Sequence, residues 1–126
     1  MPEKILIVDD EPSVAVPLQF LMKQNNYNVM AASNGEEAID KISKFKPDLI
    51  LLDIIHPGLD GFEICQMVRE NPEWQNIKII LVTTQVREVD IAKGMAFGAD
   101  AYITKPFSNA QIMKQVKKLL KVKISD

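Results

Sequence analysis

One cysteine, Cys65, and one histidine, His56, are all that this chain of 126 residues holds of those types. A lone cysteine excludes an internal disulfide and fits a reducing compartment. A lone histidine in a loop reads as a solvated side chain. Charge of one sign is also missing: the formal net charge is -2, without the basic excess of a nucleic-acid-binding module. No apolar run approaches the roughly 20 residues of a membrane span, and no basic segment leading into a long apolar stretch opens the chain. A cytoplasmic protein is expected, with neither membrane nor direct nucleic-acid contact. Internal repeats, low-complexity tracts and linkers are absent too, so 1–126 reads as one domain.

What is present points to a packed core. Hydrophobic residues make up 47% of the chain and charged residues 25%, the balance of an ordinary globular fold. Ile5 to Val8, Leu49 to Leu52 and Ile79 to Val82 are short apolar runs without polar alternation, as in strands buried on both faces of a parallel sheet. Asn28 to Ala32 and Ala101 to Thr104 are weaker strands. Between them the apolar residues take helical spacing, for example Ala38, Ile39, Ile42 and Phe45, or Ile112, Met113, Val116, Leu119 and Leu120. Alternation of the two patterns predicts an α/β fold with helical crossovers between parallel strands. Asn34, Asp60 and Ser108 stand where helix N-caps are needed, and Gly98 where a helix should stop. Pro17 falls inside the first helical pattern and predicts a distorted opening turn or a late start.

Chemistry gathers at the strand ends. "KILIVDDEP" carries an apolar run straight into Asp9, Asp10 and Glu11. "DLILLD" delivers Asp53, the fourth strand ends in Thr83 and Thr84, and Lys105 and Pro106 follow the fifth. In an open α/β sheet such ends converge at one edge, where ligands bind. Three acids in a row repel one another unless a cation neutralises them, and an all-oxygen set suits Mg²⁺, with Mn²⁺ as a substitute. Read alone, the acids fit a solvated, helix-capping turn equally well. Asp53 at the same edge moves the balance toward a metal site, and a lysine beside it suits phosphoryl transfer onto a carboxylate nucleophile.

Four segments, "ILIVDDEPS", "PDLILLDIIHPGLDGFEIC", "IILVTT" and "GADAYITKPF", resemble the signature segments of response-regulator receiver domains from two-component signalling. The resemblance spans essentially the whole chain. It implies a flavodoxin-like, three-layer, doubly wound fold with five parallel strands in the order 2-1-3-4-5 and five helices. It further implies that Asp53 is the phosphoacceptor. Asp10, Asp53 and the Ile55 backbone carbonyl are the implied direct Mg²⁺ ligands, with Asp9 holding a metal-bound water. Thr83 is the implied switch hydroxyl, Tyr102 the switch aromatic and Lys105 the phosphate-pairing lysine, its bond to Pro106 cis. The implied partners are a histidine kinase or histidine phosphotransfer protein and, for output, another protein or a following domain. The implied protein is a signalling switch, not an enzyme in the ordinary sense, although it catalyses its own phosphorylation and dephosphorylation.

This sequence departs from the family pattern at several points. Thr84 is bulkier than usual next to the switch hydroxyl, Ile55 is apolar two residues after the phosphoacceptor, and His56 follows it. Ala101 stands where one large DNA-binding class often carries a second aspartate. Lys114, Lys117, Lys118 and Lys121 stripe the last helix, best read as a solvated face. Other functions fit less well. A haloacid-dehalogenase-like phosphatase needs an acid two residues after its nucleophile, where Ile55 stands, and a flavodoxin-like electron carrier needs a phosphate loop where three acids stand. A degenerate receiver that only binds partners is the remaining alternative.

Overall fold

The computed structural model describes residues 2–53, 61–84 and 88–121. Strands β1 (Lys4–Val8), β2 (Asn28–Ala32), β3 (Leu49–Leu52), β4 (Lys78–Thr83) and β5 (Ala101–Thr104) alternate with helices α1 (Pro12–Gln24), α2 (Gly35–Phe45), α3 (Gly61–Glu70), α4 (Glu88–Ala96) and α5 (Asn109–Lys121). All strand pairs are parallel, in the order β2-β1-β3-β4-β5. The expected α/β fold class and strand order are both met.

Alternation along each strand divides the core in two. Leu6, Val8, Ile50, Leu52, Ile79 and Leu81 face one cluster, closed by Ala38 and Ile42 of α2 and by Ile64, Cys65 and Val68 of α3. Ile5, Ile7, Leu49, Leu51, Ile80 and Val82 face the other, closed by Leu18 and Met22 of α1 and by Ile112, Val116 and Leu120 of α5. A strand that is apolar at every position is thus buried on both faces, and each such side chain contributes roughly 1.5–3 kcal/mol on leaving water.

The helix boundaries follow from local chemistry. Asn34 Oδ1 accepts the Glu37 N–H at 2.8 Å. Ser108 Oγ accepts the Gln111 N–H at 3.0 Å while Gln111 Oε1 accepts the Ser108 N–H at 2.8 Å, a reciprocal capping box. Asp60 lies outside the described residues. Gly98 takes a φ of +106° just after α4, a conformation that other residues adopt rarely. For α1 the expected late start does not occur: the helix starts at Pro12 and continues through Pro17. Its first turn closes on the Glu11 carbonyl, which accepts from Val14 at 3.0 Å and from Ala15 at 2.9 Å. The donor that Pro17 lacks leaves a single gap, which the bonds on either side span.

Candidate functional site

The hydrogen-bond ladder runs one residue past the strands and places the site. Asp9 N–H donates to the Ala32 carbonyl at 3.1 Å, Asp53 N–H to Val8 at 3.0 Å and Lys105 N–H to Thr83 at 2.8 Å. Each chain is therefore still held in sheet register where its functional side chain begins. The switch point of the sheet, where β1 sits between β2 and β3, lies at this edge.

Lys105 joins the acids. Its Nζ donates to Asp9 Oδ2 at 3.0 Å, to Asp53 Oδ2 at 3.1 Å and to Glu11 Oε1 at 3.3 Å. The Lys105, Asp9 and Asp53 side chains are 10%, 3% and 7% exposed, whereas Glu11 is 58% exposed. Burial pulls the Lys105 ammonium down, but the hydrogen bonds it donates to Asp9 and Asp53, together with their negative charges, outweigh it and hold the group above the ordinary lysine range. Asp9 is itself oriented by the Glu11 N–H, which donates to its Oδ1 at 2.9 Å. The Lys105–Pro106 bond is cis, as expected.

Among the described residues, the Lys105 ammonium does not balance this edge. Asp9, Asp10 and Asp53 each bring one carboxylate oxygen within 4.8 Å of the others, and Glu11 adds a further negative charge. Hard oxygen donors crowded in this way, two buried and one exposed, fit a small divalent cation such as Mg²⁺ that keeps part of its water. Thr83 is fully buried at the end of β4, where its partner in the sheet is Thr104, the residue before Lys105. Tyr102 is partly buried against the α2–α3 side of the core. Burial raises its phenol above the ordinary value, and the charges of Asp90 and Asp53 raise it further. Its ring lies beside α4, where a Cβ built on Gly94 would stand 3.7 Å from Tyr102 Cδ2.

Ile55 and His56 lie outside the described residues. Thr84 is exposed and lines, with Glu11, Pro17, Leu18, Lys105 and Phe107, a groove of about 500 Å³ between α1 and the segment after β5. Two features escaped sequence reasoning. The first is the pairing of Glu11 with Lys105, residues 94 apart, although Glu11 was visible as the third acid of the run. The second is the clamp at the opposite edge. Arg69 donates to Asp100 Oδ2 at 2.8 Å and to the carbonyls of Ile77 and Gly98 at 2.8 and 2.9 Å. Asp100 also accepts the Ile79 N–H at 2.8 Å. No local pattern could have announced a pair 31 residues apart.

Comparison with known proteins bears on this geometry. The model of the response regulator receiver domain family matches residues 5–117. The alkaline phosphatase synthesis transcriptional regulatory protein PhoP of Bacillus subtilis (strain 168) is 42% identical over 121 residues, 96% of this chain and 50% of that protein. The chain thus spans about half the length of that curated relative. Among solved structures, a putative response regulator from Chloroflexus aurantiacus J-10-fl superposes with a TM-score of 0.90 at 35% identity, covering 95% of this chain and 98% of the other. The BeF3-activated N-terminal receiver domain of Klebsiella pneumoniae RstA gives 0.87 at 30% identity, covering 94% and 98%.

Proposed function

Because the chain belongs to the response regulator receiver domain family, we propose that it is a phosphorylation switch in which Asp53 accepts a phosphoryl group and Thr83, Tyr102 and Lys105 report its arrival. The observation that carries this reading is the contact of Lys105 Nζ with the buried Asp53 Oδ2 at 3.1 Å inside an acidic cluster. Asp9, Asp10 and Asp53 are the side chains that would hold Mg²⁺, and the family pattern adds the Ile55 backbone carbonyl. A bound Mg²⁺ neutralises the oxygens of the transferring phosphoryl group.

The residues divide the remaining work. A carboxylate oxygen of Asp53 attacks phosphorus, the bond from phosphorus to the donor's leaving group breaks with its electron pair, and an acyl phosphate forms on Asp53. The Lys105 ammonium, already 3.1 Å from Asp53, exchanges a carboxylate for a phosphoryl oxygen. The Thr83 hydroxyl donates to another, drawing the end of β4 inward. Tyr102, which now leans on α4 beside Gly94, turns into the space left behind. Phosphorylation thereby shifts the population of surfaces formed by α4, β5 and α5. The donor is a histidine kinase or a histidine phosphotransfer protein, and the readout passes to an output protein or a following domain.

Intact mass after incubation with Mg²⁺ and acetyl phosphate tests the assignment. Wild type should gain the mass of one phosphoryl group, and Asp53→Asn or added chelator should abolish the gain. Equal labelling of Asp53→Asn would sink the assignment. Mg²⁺ binding without any phosphoryl gain in wild type favours the binding-only alternative.

A further inference from the structure

We propose that Glu11 sets the choice of phosphodonor: its carboxylate favours donors that leave as a nitrogen base over acyl phosphates that leave as a carboxylate. The proposal rests on the reading of Asp53 as the phosphoacceptor and concerns what stands next to it. Glu11 occupies the N-cap position of α1, yet its side chain caps nothing. The helix is started by its backbone carbonyl, which leaves the carboxylate free to reach Lys105 at 3.3 Å. Asp9 and Asp53 hold the buried side of that ammonium, and Glu11, at 58% exposure, holds the solvent side.

The groove of about 500 Å³ is lined by both Lys105 and Glu11, and the Glu11 side chain is open to solvent. Glu11 and Lys105 are the charged residues among those that line it, and its other walls include Leu18 and Phe107. When the ammonium engages the phosphoryl oxygens, its share in neutralising Glu11 is lost. The carboxylate then faces the remainder of the donor with less of its charge compensated.

Two donor chemistries respond oppositely to that charge. In an acyl phosphate the P–O bond breaks and its electron pair departs on a carboxylate, so negative charge grows beside Glu11. In phosphoramidate or a phosphorylated imidazole the P–N bond breaks and its electron pair departs on nitrogen, the leaving group being already protonated, on the same nitrogen in phosphoramidate and on the other ring nitrogen in the imidazole. That leaving group is positive until the bond breaks and departs neutral. Like charge disfavours the first course and opposite charge favours the second.

The test compares phosphorylation rates with Mg²⁺ by intact mass, using acetyl phosphate and phosphoramidate as donors, in wild type, Glu11→Gln and Glu11→Asp. In Glu11→Gln the ratio of kcat/KM for acetyl phosphate over phosphoramidate should rise about three- to tenfold, the effect of one unit charge across a few ångströms of hydrated groove. The change should shrink in high salt, and Glu11→Asp should stay near wild type. An equal change with both donors would overturn the proposal, since a role through Lys105 alone moves both rates together. Failure of wild type to load from either donor would instead remove the premise, and with it the proposal. A urea midpoint matching wild type establishes that Glu11→Gln is folded.

Discussion

Lys105 shows how one side chain can be both structural and chemical. It is a cation shared by the buried Asp9 and Asp53, and removing one member of a buried ionic cluster leaves the others less compensated. Lys105→Ala should therefore cost about 3 kcal/mol in chelator, with part of the loss recovered in Mg²⁺, as read by urea unfolding. The Lys105 ammonium itself keeps its proton near neutrality. Its folded value lies above that of a free lysine, so its contribution is intact below about pH 10.4 and is lost only as pH rises past the folded value. Tyr102 offers a cleaner titration. Its phenol is raised by burial, then by Asp90 and Asp53, so the neutral form is favoured and ionisation costs stability only above the ordinary value of about 10. Phenolate absorbance in a Tyr27→Phe background should rise late for Tyr102, and Asp53→Asn should move it back toward the ordinary value. An unchanged titration in Asp53→Asn would detach Tyr102 from the site.

At the scale of elements, α4 packs closely on β4 at Gly94. A Cβ on Gly94 would lie 2.5 Å from Leu81 Cδ1, and Leu81 is fully buried in β4, with little room to yield. Gly94→Ala should push α4 outward and cost about 1–3 kcal/mol, measured by chemical unfolding, with altered fluorescence of the adjacent Tyr102. In α1 the expected sign is opposite. Pro17→Ala restores the missing N–H to a helix that already continues through that position, and stability should rise by about 1–3 kcal/mol. The strands, caps and crossovers were legible in sequence because they rest on local periodicity and on single side chains such as Asn34 and Ser108. The course of α1 was not, because propensity marks Pro17 as a breaker while packing of Leu18 and Met22 into the core keeps the helix whole.

The two hydrophobic clusters share every central strand of the sheet, so across the molecule they should fail together. Trp74 packs on the first cluster, and Cys65 is fully buried inside it. Trp74 fluorescence, helical circular dichroism and Cys65 reactivity toward a thiol reagent should therefore give one urea midpoint; an early thiol transition would show that α3 opens separately. By itself the sequence determined the element types, the strand order implied by the family motifs, and the residues Asp9, Asp10, Asp53, Thr83 and Lys105 as candidates, because apolar runs and strand-end chemistry are local signals. The tertiary structure alone decided which oxygens Lys105 meets, that Glu11 is among its partners, and that Arg69 ties α3 to Asp100 across the far edge. Those contacts join residues far apart in the chain, and their geometry exists only once parallel strands have been brought into register.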